Sequence, residues 1–120
     1  MIVAGMGCSS QASLAELRGV LAQVTAGRAL GAIACLDARK AQIGALAQEL
    51  GLPLVTVRRA DLQGVDTPSR SDRIAAEFGT GSVAEACALL VAGQGARIIK
   101  ARQVSATAQA TCALAEGIGQ

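Results

Sequence analysis

The sequence predicts an α/β fold, a three-layer αβα sandwich on a mainly parallel five-stranded sheet with an antiparallel C-terminal hairpin. Three observations point to it. Short continuous apolar runs alternate with amphipathic stretches along most of the chain, as strands covered on both faces alternate with the helices that cover them. Glycines and Ser-x-x-Glu capping patterns fall at the junctions between these stretches. The last two apolar runs have no helical stretch between them, which favours an antiparallel pair. Residues 1–120 are expected to form one domain, long enough to bury a core without disulfides or metals.

The elements follow in order. An opening strand, Met1-Ile2-Val3-Ala4, runs into a glycine-rich turn, Gly5-Met6-Gly7-Cys8-Ser9-Ser10. Ser13-Leu14-Ala15-Glu16 reads as a capping box, and Leu14, Leu17, Leu21 and Val24 share one helical face until Gly27 stops the helix. Ala32 to Leu36 is a buried strand that ends in Asp37-Ala38-Arg39-Lys40. A second helix carries Ile43, Leu46, Ala47 and Leu50 and stops at Gly51; Leu54 to Val57 form the third strand, ending at Arg58-Arg59. Ala60 to Ser71 is polar and reads as a loop with one helical turn near Asp61 to Gly64. A short helix from Asp72 to Phe78 leads to Gly79-Thr80-Gly81, and Ser82-Val83-Ala84-Glu85 caps a helix that runs to Gly93. Arg97 to Lys100 and Ala106 to Leu114 are the last two strands.

Composition excludes several functions. Hydrophobic residues make up 52% of the chain, yet Phe78 is the only aromatic and there is no His, Trp or Tyr. The core is therefore aliphatic and alanine-rich. There is no His base or metal ligand, no Ser-His-Asp triad and no aromatic platform for bases. A formal charge of +2 on scattered basic residues gives no ground for a nucleic-acid partner. Nine of the eleven basic residues are Arg, the type that grips carboxylate or phosphate with two parallel bonds, so an acidic small molecule is the expected ligand. Cys8, Cys35, Cys87 and Cys112 form no CxxC, which predicts reduced thiols, no bound metal and a cytoplasmic location. No signal peptide and no run of membrane-spanning length is expected, hence no membrane partner.

The candidate site lies at the carboxyl ends of the strands, where ligands bind in open α/β sheets. Gly5, Gly7, Cys8, Ser9 and Ser10 belong to the first turn, ahead of a helix amino terminus that favours anions. Asp37 at the end of the second strand would suit a ribose, but Ser10 takes the place of the third glycine of a dinucleotide fingerprint, and the same glycines can serve a tight turn. No cofactor is expected. Cys8 is the one cysteine placed to be reactive, with a small structural side chain as the alternative; Glu85 is either an acid or base in a cleft or a helix cap. Arg39, Lys40, Arg58, Lys100 and Arg102 lie near strand ends, where Arg39 and Arg58 are expected to share the rim of the first turn. The same residues read equally as solvated surface charge.

Gly5-Met6-Gly7-Cys8 after the first strand, the strand ending in Asp37, and Gly81-Ser82-Val83-Ala84-Glu85-Ala86-Cys87-Ala88-Leu89-Leu90 together resemble the CobE family of cobalamin biosynthesis. That family is similar to the C-terminal domain of CbiG, the cobalt-precorrin-5A hydrolase of the anaerobic route, and the resemblance spans essentially the whole chain. It places the first turn on Gly5, Gly7 and Cys8, and the Ser-Val-Ala-Glu helix start on Ser82 to Glu85; Thr80, Gly81 and Ser82 at that helix start are expected to line one cleft with Gly5 to Ser10 and Arg39-Lys40. In the family's Asp-x-Lys pattern Asp37 matches, Arg39 stands at the lysine position, and Gln42 replaces an acidic residue; the late basic position falls on Lys100 or Arg102. The resemblance implies a tetrapyrrole ligand, a precorrin or corrinoid intermediate fringed with carboxylates, in the oxygen-dependent route, with other cobalamin-pathway enzymes as further partners. A binding or escort role is expected over catalysis, since the hydrolase's other domains are lacking. The alternative is a hydrolase that opens a precorrin ring lactone using Cys8 or Glu85, and the loss of an acid at Gln42 weakens it.

Overall fold

The computed structural model describes residues 1–118. Its elements are β1 (Ile2–Cys8), α1 (Leu14–Thr25), β2 (Ala32–Leu36), α2 (Lys40–Leu50), β3 (Leu54–Val57), α3 (Asp72–Phe78), α4 (Val83–Ala92), β4 (Arg97–Val104) and β5 (Ala110–Glu116). Short 3-10 turns occupy Asp37–Arg39 and Arg59–Leu62. The five strands form one sheet in the order β3-β2-β1-β5-β4. β1 pairs in parallel with β2, and β2 with β3, whereas β5 lies antiparallel between β1 and β4.

Alternation of side chains along the strands divides the core into two halves, making the three-layer sandwich. On one face Ala4, Met6, Ile33 and Cys35 pack against Leu17, Val20, Leu21 and Val24 of α1 and Ile43 and Leu46 of α2. On the other, Val3 and Ala34 meet Ala86 and Cys87 of α4, with Leu62 and Val57 completing the cluster. The Ser13 and Ser82 hydroxyls accept from the backbone N–H groups of Glu16 and Glu85, the serine half of each expected capping box, and Ser71, not singled out in the sequence, caps the short helix by accepting from the Ile74 N–H. Among the described residues no single helix is long and apolar enough to cross a membrane.

Two element boundaries differ from the sequence reading. Gly5-Met6-Gly7-Cys8 is strand, not turn, because β5 pairs with β1 along its whole length, from Ile2 opposite Glu116 to Cys8 opposite Ala110. The hairpin turn sits at residues 105–109, so β4 extends to Val104 and β5 starts at Ala110; the Ser105 N–H donates to Ala110 O, and Ala108 is left-handed at φ 63°. Neither Gly5 nor Gly7 has a positive φ. Gly5 is glycine for a different reason: a Cβ there would lie 2.0 Å from Ala84 O and 2.6 Å from Ala88 N, inside the backbone of α4.

Gly5→Ala should therefore destabilise the fold by about 3 kcal/mol or more, since the obstacle is helix backbone that cannot rotate away. Gly19→Ala, on an exposed stretch of α1 where a Cβ meets nothing within 4 Å, should stabilise it by about 0.5–1 kcal/mol. Urea denaturation of both variants checks the opposite signs; a Gly5→Ala protein as stable as its parent refutes the close approach.

Candidate functional site

A cleft of about 560 Å³ opens at the carboxyl ends of β1 and β2. The end of β1 contributes Gly7, Cys8 and Ser9, and the 3-10 turn after β2 contributes Asp37 and Arg39. Ile74 and Phe78 of α3 and Val83 at the start of α4 make an apolar wall, with Met6 and Leu36 beneath. Arg102 of β4 and the hairpin residues Ala108 to Thr111 close the opposite side.

Four arginines border this cleft, and they are not equivalent. Arg59 lies over the Phe78 ring, 4.4 Å from its centroid, and its Nη2 donates to Glu77 O at 2.9 Å. Arg73 and Arg59 both face the Glu77 carboxylate, at 3.5 and 3.9 Å. Arg39 donates from Nε to the carbonyl of Cys8 at 2.8 Å, and Gln42 donates to the next carbonyl, Ser9 O, at 3.0 Å. Among the described residues, neither Arg39 nor Arg102 has a carboxylate within ion-pair distance. Both are half-buried.

The thiol at the edge of the cleft is held in its neutral form. Burial raises the Cys8 pKa above the ordinary thiol value, and the positive charge of Arg39 only partly offsets this. The other three cysteines are buried and free. Burial pushes the Cys35 thiol up to about 11 and the Cys87 thiol up to about 12, so both are inert packing groups at neutral pH.

Glu85 is fully buried. Ser82 Oγ accepts from its backbone N–H, as a cap should, but the Glu85 carboxylate turns away from the helix start. One oxygen accepts from the Ser69 N–H at 2.8 Å, and the other accepts from the Ser69 hydroxyl and from the Arg102 N–H, both at 2.7 Å. A second carboxylate secures the hairpin wall. Glu16 accepts from the Ser105 hydroxyl at 2.5 Å, from the Thr107 hydroxyl, and from the Gln109 N–H at 3.3 Å. Ser9 reaches the same wall, its hydroxyl bonding the Gln109 side chain and its N–H donating to Gln109 O. The Ser105 and Thr107 bonds hold the Glu16 carboxyl below the usual carboxylate range.

The structure brings Gly7, Cys8, Ser9, Asp37, Arg39, Ser82 and Arg102 to one cleft. The other sequence candidates lie elsewhere. Gly5 is beneath α4, and Ser10, Lys40 and Lys100 are exposed outside the cleft. Thr80 and Gly81 border a separate hollow of about 260 Å³, where the Thr80 hydroxyl donates to Val65 O at 2.6 Å. Arg58 pairs with Asp61 on the surface, and its neighbour Arg59 faces the cleft in its place. Arg59, Arg73, Phe78 and Gln109 were not singled out from the sequence. Phe78, the single aromatic, was the one available signal.

Residues 2–115 match the family described as cobalamin synthesis G C-terminus. No curated protein matches the chain. Among solved structures, the chain is similar to CobE, a protein from the cobalamin (vitamin B12) biosynthetic pathway, with 30% identity and a TM-score of 0.84 over 100% of this chain and 92% of that one. It is also similar to cobalamin biosynthesis protein chiG from Agrobacterium tumefaciens str. C58, with 29% identity and a TM-score of 0.69 over 99% and 100% of the two chains. A homolog of cobalamin biosynthesis protein G from Sulfolobus solfataricus shares the fold, with 21% identity and a TM-score of 0.72 over 95% of this chain and 36% of that one.

Alkylation of Cys8 by iodoacetamide should be slow at pH 7 and accelerate only above the ordinary thiol pKa. Arg39→Ala, which removes the charge favouring thiolate, should slow it further at any given pH; mass spectrometry of the labelled Cys8 peptide checks both, and fast labelling at neutral pH refutes the burial effect. For Glu16, a folded pKa below the unfolded value means that its contribution is complete above the unfolded value and is lost as pH falls through the folded one. Protection of the Gln109 amide from hydrogen exchange should drop across that acid interval in the parent, and show no such step in Glu16→Gln.

Proposed function

The chain belongs to the cobalamin synthesis G C-terminus family, and from that premise we propose that this cobalamin biosynthesis protein binds a precorrin or corrinoid intermediate in the cleft at the carboxyl ends of β1 and β2. The observation that carries the reading is the pair of half-buried guanidinium groups, Arg39 and Arg102, that border the cleft without a carboxylate partner among the described residues. Such intermediates are apolar macrocycles fringed with acetate and propionate groups. They call for aliphatic walls beside fixed cationic donors. Val83 and Ile74 supply the first, with the apolar Phe78 ring beside them, Arg39 and Arg102 the second, and a volume of about 560 Å³ falls within the range of small-molecule sites.

Binding without conversion is the better-supported role. At neutral pH the Cys8 thiol is protonated, and both oxygens of Glu85 are engaged with Ser69 and Arg102, which leaves the hydrolytic alternative without a poised nucleophile or base. The likeness to CobE supports a role in the oxygen-dependent route, and the four free thiols support a location in the reducing cytoplasm.

The test uses uroporphyrin, a planar tetrapyrrole fringed with acetate and propionate carboxylates, followed by its absorbance on titration with the protein. A partly shielded charge-assisted bond contributes about 1.5–3 kcal/mol, so Arg39→Ala should weaken binding by about ten- to a hundredfold. Affinity should also fall as salt rises. Arg18→Ala, which removes an exposed pair with Glu49, should leave affinity unchanged. Equal effects of Arg18→Ala and Arg39→Ala sink the reading. So does catalytic turnover of a late precorrin, seen as a mass change after incubation with the protein.

A further inference from the structure

We infer that Glu85 is a positioning residue: resting on the binding reading above, it holds a β-bulge in β4 that presents the Arg102 guanidinium to the cleft as a receptor for a ligand carboxylate. The β4–β5 ladder carries the geometry. Ile98 lies opposite Ala115, Lys100 opposite Leu114 and Gln103 opposite Cys112. Two steps along β4 thus answer one along β5, and then three answer two, so each interval holds an extra residue and the second of them contains Ala101 and Arg102. A bulge leaves its extra residue unpaired in the ladder and re-aims the side chains around it.

An unpaired N–H at this depth needs an acceptor. The Arg102 N–H finds one outside the sheet, at 2.7 Å, in the buried Glu85 carboxylate on α4. The same carboxylate binds the N–H and the hydroxyl of Ser69, just ahead of the helix that bears Ile74 and Phe78. One side chain therefore ties two walls of the cleft to α4. A hydrophobic residue would fill its volume equally well but could not hold the bulge, and this accounts for a fully buried carboxylate in an otherwise aliphatic core.

The decisive variant leaves Glu85 intact. Exchanging the two residues of the bulge, Ala101→Arg with Arg102→Ala, keeps the composition and net charge but moves the guanidinium to an exposed position that does not border the cleft. It should bind uroporphyrin as weakly as Arg102→Ala alone, about tenfold or more below the parent. Glu85→Gln should likewise lose about tenfold in the parent background and less than about twofold in the Arg102→Ala background, because the two act through one contact. Parental affinity in the exchanged variant overturns the inference while Arg39→Ala still upholds the binding reading. The same factor for Glu85→Gln in both backgrounds also overturns it and leaves Glu85 with a general structural role. A parent protein that ignores uroporphyrin overturns the binding reading itself, and this inference with it. If Glu85→Gln does not fold, Glu85→Asp, whose shorter side chain draws the carboxylate back from the Arg102 N–H, takes its place in both backgrounds with the same expected and overturning results.

Discussion

The contact on which the rest of this molecule depends is the approach of α4 to β1 at Gly5. Helix backbone stands where a Cβ would be, with Ala84 O at 2.0 Å and Ala88 N at 2.6 Å from that position. The buried face of α4 is consequently built from Ala84, Ala86, Cys87 and Ala88, side chains small enough to let the helix settle onto the sheet. That approach also sets where the helix begins. Val83 arrives over Gly7, where a Cβ would be 3.9 Å from Val83 Cγ1 and 3.0 Å from Thr111 Oγ1, so the mouth of the cleft is an outcome of the same packing.

A close-packed helix has a second consequence, because it carries a carboxylate into the interior. Stripping water from an ionised carboxylate costs several kcal/mol, and only a full complement of donors offsets it. Glu85 has three: the Ser69 N–H, the Ser69 hydroxyl and the Arg102 N–H. None of them comes from α4 itself. The loop before α3 and the irregular stretch of β4 both converge on this one group, so two segments with poor regular pairing are fixed by a helix that is rigid for other reasons. Glu16 does the same for the hairpin turn from the opposite face of the sheet, although there the carboxylate is near solvent and its hold is weaker.

Most of the architecture was legible in the sequence because period and punctuation agree. Apolar runs at 32–36 and 54–57 are strands at those limits, and glycines at 51, 79 and 93 follow helix ends as expected. What was not legible depended on partners distant in sequence. Gly5 and Gly7 resemble a turn locally; only the arrival of β5 and α4, more than seventy residues later, makes them a strand with a helix on one face. The hairpin turn lies at 105–109, where its local bonds, from the Ala108 N–H to Ser105 O and from the Ser105 N–H to Ala110 O, are joined by bonds of Ser105, Thr107 and Gln109 to Glu16, a partner distant in sequence. At the site, the ends of β1 and β2 and the Ser82 start were accessible through topology. The choice of Arg59 over Arg58 and of Arg102 over Lys100 was not, since strand-end irregularities decide which neighbour faces inward.

Those irregularities matter because the cations of the cleft are of two kinds. Arg59 and Arg73 share Glu77, and a guanidinium already satisfied by a carboxylate gains little from a second. Arg39 is different: its Nε is committed to the Cys8 carbonyl, which fixes the plane of the fork while leaving it without a carboxylate partner among the described residues. Side-chain freedom lost on folding is not lost again on binding, so a restrained guanidinium gives more net affinity per contact than a flexible one. Lysine at 40, one residue further on and exposed, could attract an anion but could not dictate its orientation. The distinction between steering and orienting is therefore written into which basic residues are held from behind: carbonyl to Arg39 on one side of the cleft, and Glu85 to the Arg102 backbone on the other.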